Sequence, residues 1–340
     1  MKSNIVEYFS SLAPEKKEHL LNQLILLMNE SEATTEDSIS KIRNNRVEEK
    51  GLQCPNCNST KIISFGSYSK GKRYRCKDCK KTFSEFTSSP LYWLHKKDLF
   101  KEYLYYFLQG YSLRNISDEM DICLKTAFDW RHKILFALGR NSKKELKGLI
   151  EVDETYFLFS EKGNKSIKRK PRKRGGVSGK DGINKDHIAI FIAYSRRDKS
   201  VTNGVGCRGR ITKKAFHNTI GKHLDRENCI LCTDSHLTYQ GYVLEHGIKQ
   251  ERIYVRKRQY VKDKIYHVQN VNNYHAQLKS WMRRFNGVAS KYLDHYMDYY
   301  GLIFELKNKT DEINESLKKL LYIDNGYVKS QNIKQQFCIT

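Results

Sequence analysis

Apolar residues recur at helical spacing over residues 5–29, where Ile5, Phe9, Leu12, Leu20, Leu21, Leu24 and Leu27 define an amphipathic helix. Residues 30–50 are polar and predict a linker. Helical spacing returns from about residue 96 to 139. There Leu99, Phe100, Tyr103, Leu104, Phe107 and Leu108 mark one helix, ended by Gly110. Ser112 can cap a second helix carrying Leu113, Ile116 and Met120. A turn near 121–124 leads to a third, with Ala127, Trp130, Ile134 and Leu138 on its buried side. From Leu149 the pattern changes to short apolar strands at 149–159, 187–195, 201–209 and 228–234. A long helix is predicted over 269–285, burying Val271, Tyr274, Leu278, Trp281, Met282 and Phe285, with further helix to about 305. The tail after Lys307 is polar and weakly patterned. These shifts predict an N-terminal helix and linker (1–50), a cysteine-rich module (51–90), a helical segment (91–145), an α/β domain (146–307) and a tail (308–340).

Charge narrows the function. The chain has 340 residues, and lysine and arginine outnumber acids 62 to 38, a formal net charge of +24. A protein this basic meets a polyanion, most often nucleic acid. No apolar run reaches the ~18 residues that span a bilayer, and the first residues lack a basic-then-apolar signal. The expected location is therefore cytoplasmic, on the chromosome, with no membrane partner. Nine cysteines without a secretion signal point to thiols or metal ligands, not disulfides.

Cys54 and Cys57 form one CxxC pair, and Cys76 and Cys79 another, with 18 residues between them. Two such turns supply four thiolates to one structural Zn²⁺. The intervening segment reads as a hairpin whose Lys70, Lys72, Arg73 and Arg75 suit phosphate contact. Cys229 and Cys232 have the same spacing but lie in a strand, where residues three apart face opposite ways, so they cannot share a metal.

The second and third predicted helices fit a helix-turn-helix plan, with Lys125, Thr126, Asp129 and His132 towards DNA; an ordinary three-helix bundle gives the same pattern. Residues 162–185 hold ten basic residues and one acid. This insert, with Arg169, Arg172 and Arg174, is expected to grip a DNA backbone, although a solvated loop has similar composition.

Asp153 lies within one apolar strand and Asp234 ends another. Carboxylates there are costly unless paired or bound to a cation, and together they suggest a hard-metal site for Mg²⁺ or Mn²⁺. Alternation turns Glu154 to the other face from Asp153. On the helix over 269–285, Asn272 and Lys279 are seven apart and point the same way. An amide oxygen can ligate a metal beside two aspartates, and a lysine two turns on can hold a phosphate, as can Arg283 beyond it; a solvated face would share that spacing.

The ordered set resembles the ISXO-type insertion-sequence transposases, members of the DDE superfamily with an RNase H-like core. The similarity rests on the cysteine module, on Val152-Asp153-Glu154-Thr155-Tyr156, on Thr233-Asp234 with Tyr239, and on His267-Val268-Gln269-Asn270-Val271-Asn272 followed by Leu278-Lys279. It covers about residues 52–305. The resemblance implies an RNase H-like mixed-sheet core behind a zinc ribbon and a helix-turn-helix. It also implies metal-dependent DNA cleavage and strand transfer on terminal inverted repeats and target DNA, carried out by a homo-oligomer. Asp153, Asp234 and Asn272 would hold Mg²⁺ and Lys279 would assist. Asn272 stands where most relatives have glutamate. A regulator that binds DNA through ribbon and helix-turn-helix alone is the alternative.

Overall fold

The computed structural model describes residues 10–14, 16–17, 35–68, 71–139, 145–167, 175–179, 181–307, 312–323 and 326–333. Contacts divide the chain into two units, residues 1–87 with 93–102, and residues 88–92 with 103–340.

In the first unit, the stretch expected as a linker forms helix α1 (Thr35–Lys50). It lacks glycine and proline, so nothing breaks a helix. Its inward stripe includes Ile39 and Arg43, both buried, and the Arg43 Nε donates to the Glu85 carbonyl at 2.7 Å. The stripe was hidden because arginine stems, not apolar side chains, fill part of it. Strands β1 (Ile62–Tyr68), β2 (Gly71–Cys76) and β3 (Thr82–Ser84) form an antiparallel meander in that order. Leu52, Ile62, Tyr74 and Phe83 pack around the cysteines.

The second unit is built on a five-stranded mixed sheet. Its strands are β4 (Leu146–Leu158), β5 (His187–Ser195), β6 (Ser200–Arg208), β7 (Leu224–Asp234) and β8 (Lys249–Ile253). The spatial order is β6-β5-β4-β7-β8. The β4–β5 and β5–β6 pairs are antiparallel; β4–β7 and β7–β8 are parallel. A meander of three strands extended by two parallel ones, with helices on both faces, is the RNase H-like arrangement. Four of the strands coincide with the apolar segments. The fifth, Lys249-Gln250-Glu251-Arg252-Ile253, is a polar edge strand with only Ile253 buried, so alternation did not mark it.

Helices α5 (Lys213–Thr219) and α6 (Leu237–His246) cover one face, with Phe216, Ile220, Tyr239 and Tyr242 packed on Ile150, Val152 and Phe191. Helices α7 (Gln269–Arg283) and α8 (Leu293–Leu306) belong to the other. There the buried Asn203 Nδ2 of β6 lies 3.2 Å from both the Tyr274 hydroxyl and the Met297 carbonyl. Helices α2 (Phe100–Leu108), α3 (Leu113–Glu119) and α4 (Leu124–Leu138) meet at short turns. Ser112 caps α3, accepting from the Asn115 N–H at 3.2 Å, and Gly110 takes the left-handed conformation that ends α2 (φ +72°). Tyr299 of α8 stacks on Phe107 at 3.8 Å and the Arg284 guanidinium donates to the Gln109 carbonyl at 2.8 Å. The weakly patterned tail contributes α9 (Glu312–Tyr322), whose Leu317, Leu320 and Leu321 are fully buried. Among the described residues, no helix is long and apolar enough to cross a membrane.

Candidate active site and zinc centre

The two cysteine turns are built alike. Cys54 accepts from the Asn58 N–H at 2.8 Å and Cys76 from the Lys80 N–H at 3.1 Å. Asn58 and Lys80 both adopt left-handed backbone (φ 59° and 62°). This geometry turns all four thiols inward, their sulfurs within 4.8 Å of one another. The Cys54–Cys79 and Cys57–Cys76 separations are 3.5 and 3.6 Å, close to the ~3.8 Å edge of a tetrahedron with 2.3 Å Zn–S bonds. The backbone N–H of Cys79 holds the Cys76 thiol down at about 6. The Ser59 N–H also favours the Cys57 thiolate, but burial and the neighbouring sulfurs outweigh it and carry that thiol up to about 12. Four thiolates this close repel one another unless a cation sits between them. The cluster fits zinc.

The sheet places the carboxylates. Gly148, Ile150 and Val152 of β4 pair in parallel with Cys229, Leu231 and Thr233 of β7. Ile150, Val152, Cys229 and Leu231 belong to the core under α5 and α6. Odd-numbered β4 residues and even-numbered β7 residues therefore face α7. Asp153 and Asp234 stand one step beyond the Val152–Thr233 pair, side by side on strands ~4.8 Å apart. Glu154 faces the other way, where the hydroxyls of Tyr239 and Tyr156 donate to it at 2.6 and 3.3 Å. Cys229 and Cys232 likewise point to opposite faces; the Cys232 thiol donates to the His267 carbonyl at 3.1 Å.

Burial, then the charges of Glu154 and Asp234, push the Asp153 carboxyl up to about 8. Lys279 is the cation that counters this. Two carboxylates set against a single lysine are still short of positive charge, and their hard oxygens fit a divalent ion. Helix α7 brings His275 and Lys279 to Asp153, and Asn272 lies one turn before His275 and two turns before Lys279 on the same helix. Asn272 and Lys279 are exposed, and the His275 Nδ1 lies 3.7 Å from the Asp153 carboxylate.

Sequence reasoning did not mark Glu151, the residue that fixes α7. Its side chain is fully buried two residues before Asp153 on the same face. It accepts from the Asn270 and Val271 N–H groups at 2.9 and 3.3 Å, and from the Asn270 Nδ2 at 2.6 Å. The Arg196 Nε donates to it at 2.6 Å, and Arg196 also donates to the carbonyls of Ile265 and His267. A carboxylate thus caps the first turn of α7, where N–H groups lack intrahelical partners and the dipole is positive. His267 joins this cap, with its Nδ1 3.4 Å from Glu151 and accepting from the Gln269 N–H.

The residues expected to face DNA are placed unevenly. Lys72 and Arg73 are exposed on β2, and Arg73 and Arg75 lie 6.0 and 5.3 Å from the exposed Phe65 ring. Lys125 is exposed but paired with Asp129 at 2.7 Å, and Thr126 contacts the Cys123 sulfur that caps α4. His132 requires correction: it is 2% exposed, packed between Phe128 and Tyr292, and cannot reach DNA from there. Its α4 position turns inward because α8 and the chain preceding it cover that side. Arg283 is exposed at the end of α7. Arg169, Arg172 and Arg174 lie outside the described residues. The base of the insert is anchored where Lys162 donates to the Asn286 and Gly287 carbonyls at 3.2 and 2.8 Å, just beyond α7.

Residues 145–300 match the family model of the ISXO2-like transposase domain. The whole sheet and the facing α7 lie within that range. The chain is also 25% identical over 281 residues to an uncharacterized protein in transposable element ISH50 of Halobacterium salinarum, covering 80% of this chain and 90% of that protein. A crystal structure of a pre-cleavage Mos1 transpososome aligns with 67% of this chain and 80% of that chain, at 9% identity and a TM-score of 0.22, too low to bear on the fold.

Proposed function

We propose that this transposase cuts and joins DNA at a metal site formed by Asp153, Asp234 and Asn272. The observation that carries the reading is the side-by-side placement of Asp153 and Asp234 on parallel strands, opposite α7. Asp153, Asp234 and Asn272 would hold Mg²⁺ or Mn²⁺, which would supply Lewis-acid activation of the attacking water or DNA 3′-hydroxyl and charge stabilisation of the leaving oxygen. Asp153 and Asp234 supply charged oxygens; Asn272 supplies a neutral amide oxygen from the helix. Lys279, two turns on, holds a phosphate and offsets charge in the transition state. The structural zinc holds the ribbon, whose basic strand takes DNA together with the α3–α4 helix-turn-helix and the insert over 162–185. The substrates are the element's terminal inverted repeats and target DNA, and the working form is a homo-oligomer that brings two ends together.

The test is strand transfer on a duplex carrying the element end. Asp153→Asn and Asp234→Asn should each abolish joining while DNA binding persists; full activity in both would reject the site. The neutral Asn272 favours a second reading, a DNA-binding regulator without catalysis. Wild-type protein and Asn272→Ala that bind DNA equally, and both fail to join it, would support the regulator.

A further inference from the structure

Between β8 and α7 the chain leaves the sheet as an arm over residues 254–266. Lys262 and Tyr266 exchange N–H···O bonds of 2.8 Å and close a small hairpin at its C-terminal end. Asp263 and Lys264 adopt left-handed backbone there (φ 51° and 58°), as does Arg258 (φ 58°). Left-handed backbone at three residues other than glycine is strained, and such strain collects at functional segments. The arm exposes Val255, Tyr260, Val261 and Ile265, an unusual amount of apolar surface for so short a loop. Its cations outnumber its single acid, Asp263. Lys262 is spent on Glu251 at 2.5 Å, whereas Arg256, Arg258 and Lys264 are exposed and have no acidic partner among the described residues.

The base of the arm is tied to the catalytic face. Arg196 bonds the Ile265 carbonyl at 2.6 Å with one nitrogen and Glu151 with another, also at 2.6 Å. Glu151 lies two strand residues, about 6.8 Å, from Asp153.

From these observations we infer that the 254–266 arm docks the DNA backbone beside the active site, Arg256, Arg258 and Lys264 contacting phosphates within a few nucleotides of the scissile one. This rests on the transposase reading. The charge selects DNA over a second copy of this basic chain, and the Arg196 tie sets the distance to the chemistry.

The experiment measures binding of full-length, zinc-loaded protein to a labelled random-sequence duplex across about 50–200 mM salt. Arg256→Ala/Arg258→Ala should weaken binding several-fold and flatten the log–log salt slope by about 1.8, or ~0.9 per lost phosphate contact. Lys214→Ala/Lys222→Ala removes equal charge from the opposite face of the sheet and should change the slope much less. An arm variant indistinguishable from that control, or one that alters sedimentation but not DNA binding, would overturn the inference. Wild-type protein with no salt-dependent DNA binding would instead sink the transposase reading, and the arm's role with it.

Discussion

Glu151→Ala isolates the contact that holds α7 against the sheet. The substitution removes the acceptor for the Asn270 and Val271 N–H groups, the Asn270 amide and the Arg196 Nε. Breaking one side of a buried ion pair costs about 3–5 kcal/mol. Arg196 keeps its two carbonyl partners and its side chain is 22% exposed, so solvent screens part of the loss. A discounted figure of about 3 kcal/mol is a large share of the ~5–15 kcal/mol stability of a domain. At ~2–4 °C per kcal/mol for a domain of this size, the melting temperature of the catalytic unit should fall by roughly 6–12 °C. Glu151→Gln keeps the volume and one acceptor oxygen, and should lose about half as much, since charge-assisted bonds are roughly twice as strong as neutral ones.

Stability alone would not separate a fold brace from a catalytic brace. The separating assay is the Mn²⁺ concentration giving half-maximal cleavage, measured well below the melting transition. A loosened first turn of α7 displaces Asn272 relative to Asp153 and Asp234, so Glu151→Gln should raise that concentration while DNA affinity stays as in the wild type. A melting temperature unchanged by Glu151→Ala would refute the energetic argument. A Glu151→Gln protein that is less stable but responds normally to metal would refute the positioning role.

Four further outcomes follow from the geometry. Without added divalent ion, the folded Asp153 keeps its proton up to about 8 while the unfolded chain sheds it near 3.8; stability contributed by the protonated form should therefore decline as pH rises through that window, by roughly 1–3 kcal/mol after allowing for partial exposure, and Asp153→Asn should flatten the melting-temperature profile. The same proton competes with metal, so the Mg²⁺ needed for cleavage should fall as pH rises towards 8, and a pH-independent requirement would count against Asp153 as a ligand. Asn272→Glu restores an acid at an exposed helix position and should lower the half-maximal Mn²⁺ concentration roughly tenfold, equivalent to ~1.4 kcal/mol; an unchanged value would place Asn272 outside the site. Metal analysis should find a single zinc ion per chain, and Cys76→Ser should lose it together with the folded ribbon, as structural zinc sites are folded by their metal.

Strand parity made much of the site legible. Alternation alone separated Glu154 from Asp153 and split Cys229 from Cys232, and the observed register agrees in both cases. The 3.6-residue period located the buried face of α7 through Val271, Tyr274 and Leu278. Local pattern failed where a partner was distant or of an unexpected type. Arginine stems masked the inward stripe of α1, and a polar edge concealed β8. His132 read as exposed because the helices covering α4 lie far along the chain.

Glu151 is the instructive miss, because the parity argument applied to Glu154 already placed it on the face of Asp153. A carboxylate in a fully covered strand must be compensated, and nothing within its own strand could do so. Its partners lie 45 and 119 residues away, at Arg196 and Asn270. This also explains why Glu151 does not replace the glutamate missing at position 272. Both of its oxygens are occupied by Arg196 and the first turn of α7, and freeing one for a metal would leave helix N–H groups unpaired in a buried place. Glu151, two residues before Asp153 on that face, is spent on holding the helix, and for this reason the proposed site draws its third ligand from the helix itself, at Asn272.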